Sequence, residues 1–287
     1  MTKPDSALAP LQPLLYEETI RRALAEDLGL AGDLTTDAIV APDTIAGATI
    51  VARAPGRIAG IEIAGAAFRA LDPAAEMEVK VVDGGDAGHG QVLATVRGSA
   101  RAILSAERTA LNFLAHLSGI ATATRDIVAA VAGYPCRIVC TRKTTPGLRA
   151  LEKYAVRAGG GANHRFGLDD AVLIKDNHRL MAGGVEEAVR RVRLHAGHMV
   201  KIEVEADTLN ELEQALSLGV DAVLLDNMPL EMLEQGVRMV KGKAITEASG
   251  GITPENAPAV AATGVNLISI GWITHSAPAL DVSLELL

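Results

Sequence analysis

Several features that would assign the chain to a particular class are scarce in its sequence. Only two cysteines occur among 287 residues, Cys136 and Cys140, and no second Cys/His pair accompanies them at the spacing of a metal site. We therefore expect two buried, reduced thiols. Aromatic residues make up 2% of the chain, which leaves few rings for base stacking, and the net charge of −8 opposes contact with phosphate backbones. Nucleic acid is not an expected partner.

Long apolar runs are also missing. Charges, glycines or prolines interrupt every candidate before about 18 apolar residues accumulate, so we expect no transmembrane helix and no membrane partner. Residues 1–13 lack the basic start and continuous apolar run of a secretory signal and predict a flexible lead-in. The hydrophobic fraction of 49% against 22% charged residues is typical of a folded globular protein, which we expect in the cytoplasm.

The first part of the chain predicts a small α+β domain. Apolar residues three and four apart predict an amphipathic helix from Leu14 to Leu28. Strand-like runs between Gly- and Pro-containing turns follow at 46–54, 76–83 and 91–97. Helical periodicity returns at 99–117 and at 121–132, and we expect the domain boundary near Gly119. A lipoyl- or biotin-carrier domain is a weaker alternative, because Lys80 lies inside a strand pattern and not on a hairpin tip.

The second part alternates short apolar runs with helical segments. The apolar runs lie at 137–141, 171–174, 199–204, 221–225, 244–248 and 267–270. The helical segments lie at 147–158, 185–196, 208–218, 229–241 and 254–263. Such alternation is typical of βαβ units and fits either an open doubly wound sheet or a (β/α) barrel.

Polar residues follow the successive predicted strands, first cations, then carboxylates, then glycine-rich turns. They are Arg142, Lys143, Lys175, Glu205, Asp226, Ser249, Gly250, Gly251 and Gly271. Such residues converge on one mouth only if the sheet closes, so we expect a (β/α) barrel of fewer than eight strands at 119–287, after an N-terminal domain at 14–118. Glycine turns bind phosphate through backbone N–H groups, carboxylates hold Mg²⁺, and Arg or Lys clamps anionic substrates. Each residue alone also fits an ordinary cap or turn, so the joint arrangement carries the prediction.

Positive charge is concentrated in one stretch of this acidic chain. Nine Lys or Arg residues stand against four Asp or Glu residues between Arg137 and Arg179. This basic stretch fits either a solvated surface or a site for a small polyanion.

The stretch TRKTTPGLRALEKYAVRAGGGANHRFGLDDAVLIKDNH at 141–178 resembles the signature region of the quinolinate phosphoribosyltransferase family. Further segments similar to that family follow in its order: EDLGLAGDLTT at 26–36, ERTALNFLAHLSGIAT at 107–122, IEVEADT at 202–208, DAVLLDN at 221–227, EASGGI at 247–252 and GWITHSAP at 271–278. The resemblance covers the chain after residue 14. It departs at Arg179, Trp272 and Ile273, and none of these departures removes a proposed contact.

The resemblance implies an N-terminal α+β sandwich domain and an incomplete, TIM-like (β/α) barrel in a homodimer with shared active sites, and it leaves a higher oligomer open. It implies transfer of a phosphoribosyl group from 5-phosphoribosyl 1-pyrophosphate to quinolinate with decarboxylation. The products are nicotinate mononucleotide, CO₂ and pyrophosphate, in NAD biosynthesis. Mg²⁺ is the implied cofactor, held by Glu205 and Asp226 directly or through water.

The resemblance also implies roles for individual residues. The catalytic set is Lys143, Lys175, Glu205 and Asp226. The quinolinate-binding set is Arg108 from the opposing subunit, Arg142, His164, Arg165 and Lys175. The set that binds phosphoribosyl pyrophosphate is Lys143, Ser249, Gly250, Gly251, Ser269, Gly271 and His275.

Two alternatives stay open beside this interpretation. One is a related phosphoribosyltransferase-like protein of molybdate transport loci, against which the complete set of Arg108, Arg142, Arg165 and Lys175 argues. The other is a noncatalytic phosphate-binding barrel, which the retention of Glu205 and Asp226 with the full set of cations disfavours.

Overall fold

The computed structural model describes residues 8–287, and its contacts divide the chain into two compact units. The first unit contains the chain up to Arg125 together with 144–160 and 273–287, and the second contains 126–143 and 161–272. Of the predicted lead-in, residues 1–7 lie outside the described residues, and Pro13 begins a short 3-10 helix. Within residues 8–287, no helix has the length and apolar character needed to cross a membrane.

Helices and strands are numbered here in chain order. The helices are α1 (Glu17–Leu28), α2 (Leu34–Ile39), α3 (Ile61–Leu71), α4 (Ala100–Ala130), α5 (Arg149–Ala158), α6 (Asp176–Ala182), α7 (Val185–His195), α8 (Leu209–Ser217), α9 (Leu230–Val240), α10 (Ala257–Ala262) and α11 (Trp272–His275). The strands are β1 (Ile45–Ala52), β2 (Gly56–Arg57), β3 (Glu76–Val79), β4 (Asp86–Ala87), β5 (Val92–Ser99), β6 (Arg137–Val139), β7 (Val172–Ile174), β8 (Ile202–Ala206), β9 (Ala222–Asp226), β10 (Ile245–Ser249), β11 (Leu267–Ser269) and β12 (Val282–Leu286).

The first unit is an antiparallel sheet combined with helices, which confirms the predicted α+β class. Its four strands follow the order β12-β1-β5-β3, and the small pair β2-β4 stands apart. The last strand, β12, pairs with β1 from Ala48↔Leu286 to Ala52↔Val282 and so returns the end of the chain to the first unit. The helical face of α3 buries Phe68 and Ile63 almost completely, as expected for a helix that covers a sheet.

The helical runs predicted at 99–117 and 121–132 form one helix, because α4 runs without interruption from Ala100 to Ala130. Gly119 is a point of close packing. A Cβ at this position would lie 2.1 Å from the carbonyl oxygen of Pro278 and 2.9 Å from Cα of Ala279. The neighbouring Leu280 donates its backbone N–H to the carbonyl of Ala115 at 2.9 Å, which fixes the crossing segment on the helix. The glycine therefore allows two backbones to meet and does not end the helix.

The second unit contains the predicted parallel barrel in an incomplete form. Its six strands follow the order β6-β11-β10-β9-β8-β7, so the first two strands of the unit occupy the two edges. Within the described residues, β6 also forms one isolated parallel bridge, Val139↔Ala162, with the segment that precedes β7. The six-stranded sheet with intervening helices confirms the expected fold class.

Strand registers sort the side chains of this sheet onto two faces. Glu205 and Glu247 are both in register with Leu224, and Ser249 is in register with Asp226. Because side chains alternate along a strand, these residues share one face. Residues at the intervening positions are apolar apart from Thr246, and one of them, Leu225, faces α9 at Gly236. The acidic face is therefore the interior of the barrel, and the helices cover the apolar face.

The two cysteines are both free thiols. Cys140 is buried, as expected, and its Sγ lies 3.4 Å from Oδ1 of Asn163. Cys136 is only half-buried, in contrast to the prediction, because it directly precedes the exposed start of β6.

Candidate active site

Three predicted site residues occupy the carboxyl ends of neighbouring strands. Asp226, Ser249 and Ser269 are the last residues of β9, β10 and β11, and the registers align them side by side. Glu205 lies within β8, whereas the sequence pattern placed it just after that strand. The shift arises because β8 begins at Ile202, after the exposed pair Met199 and Lys201 in the predicted run.

Glu205 and Asp226 belong to a cluster of carboxylates together with Asp207. One oxygen of each lies within 4.8 Å of the others, a spacing compatible with a shared cation. Lys175 contacts the cluster through its Nζ, 2.9 Å from Oε2 of Glu205. The Glu205 side chain is only 8% exposed, whereas that of Lys175 is 49% exposed, so the lysine covers the acid from the solvent side.

Arg179, one of the positions at which the sequence departs from the family pattern, contributes to the same region. Its Nη2 lies 3.0 Å from Oδ2 of Asp207, and its side chain is only 9% exposed. Lys175 and Arg179 lie one helical turn apart at the start of α6, on the same side of the helix. Lys175 therefore contacts Glu205, and Arg179 contacts Asp207, two residues further along the chain. The sequence departure at Arg179 is thereby matched to Asp207, which is not among the predicted site residues.

A second cluster lies deeper in the barrel and joins His164 to two buried glutamates. His164 Nε2 lies 2.9 Å from Oε2 of Glu203 and 3.5 Å from Oε1 of Glu247. Burial, and then the charge of Glu203, raise the pKa of Glu247 to about 7. Neither glutamate was predicted as a site residue.

Arg165 lies beside Arg142 near this cluster. Burial, and then the neighbouring charge of Arg142, lower the pKa of the Arg165 guanidinium. Arg165 donates from Nη1 to the carbonyl of Ala171 at 3.1 Å, which holds the loop before β7. Two half-buried guanidinium groups that repel each other favour the binding of an anion between or beside them.

The glycine turn after β10 is tightly constrained. Gly250 has φ of +95°, and a Cβ there would lie 2.0 Å from Oδ1 of Asn227. Asn227, itself at φ 51°, donates its backbone N–H to the carbonyl of Ser249 at 2.9 Å. Gly251 also has a positive φ of +61°, but open space surrounds its Cβ position. Only a residue without a side chain fits Gly250 unstrained.

The remaining predicted residues of the second unit lie near strand ends. Lys143 is exposed and donates its backbone N–H to Oγ1 of Thr141 at 3.0 Å, a turn that follows β6. Ser269 is buried, with its Oγ 3.4 Å from the carbonyl of Ala248. Gly271 is half-buried two residues after β11.

Two predicted site residues, Arg108 and His275, belong to the first unit. Arg108 is exposed on α4, between the buried residues Ala106 and Ala110. His275 ends α11, is exposed, and has its Nδ1 2.6 Å from Oγ of Ser276.

Comparisons with known proteins place the chain in a family. The profile of the quinolinate phosphoribosyl transferase C-terminal domain matches residues 120–285, and the profile of the N-terminal domain of the same family matches residues 33–118. A probable nicotinate-nucleotide pyrophosphorylase [carboxylating] of Bacillus subtilis is 44% identical over 95% of this chain and 93% of its own length. The nicotinate-nucleotide pyrophosphorylase [carboxylating] of Mycobacterium leprae is 45% identical over 94% of this chain and 96% of its own.

Solved structures agree with these matches. The crystal structure of NadC from Streptococcus pyogenes superimposes with a TM-score of 0.93 at 38% identity and covers 97% of this chain and 99% of its own. Fold and site together define a phosphoribosyltransferase with a separate N-terminal domain. The chain belongs to the quinolinate phosphoribosyltransferase family, and the two alternatives from the sequence analysis are not favoured.

Proposed function

We propose that the protein transfers the phosphoribosyl group of 5-phosphoribosyl 1-pyrophosphate to quinolinate and releases pyrophosphate and CO₂, giving nicotinate mononucleotide for NAD biosynthesis. The observation that carries this proposal is the Lys175–Glu205 pair beside Asp226, at the carboxyl ends of parallel strands in a chain of this family. Cations on one side and carboxylates on the other suit a reaction between two anionic substrates.

The cationic side suits quinolinate, which is a dianion. Arg142 and Arg165 lie close enough for the charge of one to lower the pKa of the other, and a dicarboxylate would relieve that repulsion. Lys175 adds an exposed ammonium group at the end of β7. Positioning of the pyridine nitrogen by such contacts can contribute about 7 kcal/mol or more to a reaction of this kind.

The carboxylate side suits Mg²⁺ bound to pyrophosphate. Glu205 and Asp226 offer oxygens at a spacing that fits the ion, and Asp207 offers a third. Mg²⁺, when bound, neutralises charge on the pyrophosphate leaving group. Lys143, exposed after β6, supplies a positive charge for the same group.

The glycine-rich strand ends suit the phosphates of the donor substrate. Gly250 and Gly251 expose backbone N–H groups without side chains, and Ser249 and Ser269 precede the turns after their strands. His275 completes the proposed phosphate-binding set.

The chemistry needs no covalent nucleophile from the protein. The pyridine nitrogen forms a bond to the ribose carbon as the bond from that carbon to pyrophosphate breaks, and pyrophosphate leaves with the bonding electrons. The carbon–carboxylate bond beside the ring nitrogen then breaks, and its electron pair is accepted by the cationic ring before the ring carbon takes up a proton. The protein residues therefore bind, orient and balance charge.

An assay of the purified protein with quinolinate, phosphoribosyl pyrophosphate and Mg²⁺ tests the proposal. We expect formation of nicotinate mononucleotide, followed spectrophotometrically, that chelation of Mg²⁺ abolishes and added Mg²⁺ restores. Nicotinate should react at least about 100-fold less efficiently, because a missing carboxylate leaves a buried cation without its partner. Equal use of nicotinate and quinolinate would refute the assignment.

The active unit is proposed to be a cytoplasmic homodimer in which Arg108 reaches the quinolinate site of the opposing subunit. The exposed position of Arg108 on α4 makes it accessible to such a partner, and the buried free thiol of Cys140 suits a reducing compartment. Mixing inactive Arg108→Ala protein with inactive Lys175→Ala protein should restore up to about half of the normal activity per site in mixed dimers, since one site then carries neither change.

The control for this experiment is a mixture of each variant with itself, which should stay inactive. Exchange of subunits is checked by native mass spectrometry of tagged chains. If mixed dimers form and remain inactive, Arg108 does not act across the interface.

A further inference from the structure

Both ring nitrogens of His164 contact protein groups inside the barrel. The backbone N–H of Arg165 donates to Nδ1 at 2.8 Å, and Nε2 lies 2.9 Å from Oε2 of Glu203. The side chains of His164 and Glu203 are 13% and 11% exposed, so both contacts are shielded from water. Because a backbone N–H can only donate, Nδ1 is the unprotonated nitrogen, and Nε2 carries the hydrogen and donates it to Glu203.

This hydrogen-bond pattern decides between two uses of the cluster. A histidine and two glutamates within 4.8 Å of one another could in principle hold a cation. A cation on Nε2 would place the ring hydrogen on Nδ1, where it would oppose the N–H of Arg165 at 2.8 Å. The geometry therefore favours a hydrogen-bonded chain over a metal site.

We propose that Glu203 acts through His164 as a positioning residue for Arg165 in the quinolinate site, an inference that rests on the proposed function. Glu203 fixes the ring tautomer, Nδ1 then holds the Arg165 peptide, and Arg165 Nη1 reaches the carbonyl of Ala171 at 3.1 Å. We call this series of hydrogen-bonded groups, from Glu203 through His164 to Arg165, the Glu203 relay. In it, His164 supports the arginine and does not contact the substrate.

The relay explains why an acid occupies this position of a buried strand. Glu203 lies in β8, in register with Leu173 of β7 and Ala222 of β9, where an apolar residue would pack without the cost of burying a charge. Its neighbour Glu247, 1% exposed and 3.5 Å from the same His164 nitrogen, keeps a second carboxyl oxygen near the ring hydrogen. Both acids therefore favour the Nε2–H tautomer.

Two substitutions of His164 separate the relay from direct substrate binding. Asparagine places its carbonyl oxygen near the position of Nδ1 and can still accept from the Arg165 N–H, whereas glutamine places its amide nitrogen near Nε2 and cannot. The relay predicts that His164→Gln raises the KM for quinolinate about tenfold while His164→Asn changes it about threefold or less. The KM for phosphoribosyl pyrophosphate should stay within about twofold in both. If His164→Gln is the milder change, the ring binds substrate through Nε2 and the relay is wrong.

A double-mutant cycle tests the role of Glu203 itself. Glu203→Leu, close in volume and free of a buried charge, should raise the KM for quinolinate about tenfold in the wild-type background and less than twofold in the His164→Asn background. Glu203→Gln keeps an acceptor for Nε2–H and should largely restore the wild-type value. Equal effects of Glu203→Leu in both backgrounds would overturn the relay. A loss of unfolding stability with unchanged KM would make Glu203 merely structural.

The tautomer can be measured without any activity. The ¹⁵N chemical shifts of the His164 ring, assigned by comparison with His164→Asn protein, should report a neutral ring protonated at Nε2, and protonation at Nδ1 would refute the relay. An inactive wild-type protein that shows the Nε2–H tautomer would overturn the proposed function and leave the geometry of the relay intact. An active wild-type protein with the opposite tautomer would overturn the relay alone.

Discussion

Replacement of Gly119 by alanine tests whether the first unit depends on a close contact between two backbones. Gly119 lies inside α4, where intrinsic helix propensity favours alanine by about 1 kcal/mol. Propensity alone therefore predicts that Gly119→Ala stabilises the protein. The structure predicts the opposite result.

The opposing cost follows from the position of the added methyl group. Its carbon would lie 2.1 Å from the carbonyl oxygen of Pro278, although such atoms normally approach to about 3.3 Å. The crossing segment would have to move by about 1 Å, at a typical overpacking cost of about 1–3 kcal/mol. Weakening of the Leu280 to Ala115 hydrogen bond, 2.9 Å long, adds about 1 kcal/mol. After the gain in propensity is subtracted, Gly119→Ala should destabilise by about 1–3 kcal/mol.

Equilibrium urea unfolding followed by circular dichroism measures this difference. Gly236→Ala is the matched control, because Gly236 lies inside α9 and its added Cβ would meet only side-chain ends, Leu225 at 3.2 Å and Leu212 at 3.3 Å. Those ends can shift, so the control should stay within about 1 kcal/mol of the wild type. The reasoning fails if Gly119→Ala is as stable as the wild type or more stable than the control.

Two further predictions concern the barrel. Burial, and then the charge of Glu203, raise the pKa of Glu247 from 4.5 to about 7, so the proton stabilises the folded state. This stabilisation, about 3 kcal/mol, is complete below about pH 4.5 and is lost as the pH rises through about 7. Glu247→Gln should therefore remove this pH dependence of the unfolding free energy, measured from unfolding curves between about pH 5 and 8. An unchanged pH dependence in that variant would contradict the assignment. Gly250→Ala should raise the KM for phosphoribosyl pyrophosphate at least about tenfold, since its Cβ would lie 2.0 Å from Oδ1 of Asn227, whereas Gly251→Ala, with open space around its Cβ, should have a smaller effect. Similar effects of the two changes would show that the clash at Gly250 is relieved at little cost.

Apolar runs were sufficient to predict the barrel strands because most of the residues in these strands are apolar. The run at 221–225, for example, became β9 with a shift of one residue at each end. Short elements could not be predicted, because they contain no such apolar run. The two-residue strands β2 and β4 bury too few side chains to produce a period, and β12 mixes half-buried and exposed residues.

Some residues of the candidate site could likewise be predicted from the sequence, and others could not. Residues at strand ends, such as Lys175 and Asp226, could be found from the sequence because a polar residue after an apolar run is conspicuous. Asp207 could not be separated from an ordinary helix-start acid until Arg179 was found beside it. The close approach at Gly119 depends on a segment about 160 residues later in the chain, which no local pattern reveals.

Glu203 and Glu247 do leave a signal in the sequence. Each stands in the middle of an apolar run, IEV and ITEA, where a parallel strand ordinarily carries apolar side chains on both faces. A glutamate is almost never fully buried without a partner, so its presence there requires a compensating group in the interior. Strand registers show that both acids face the inside of the barrel, and His164 is the group that they share. An acid inside a predicted barrel strand therefore indicates that the barrel interior is a functional site, where a cost in folding stability is accepted. It also indicates that a partner such as His164 should be sought in that interior.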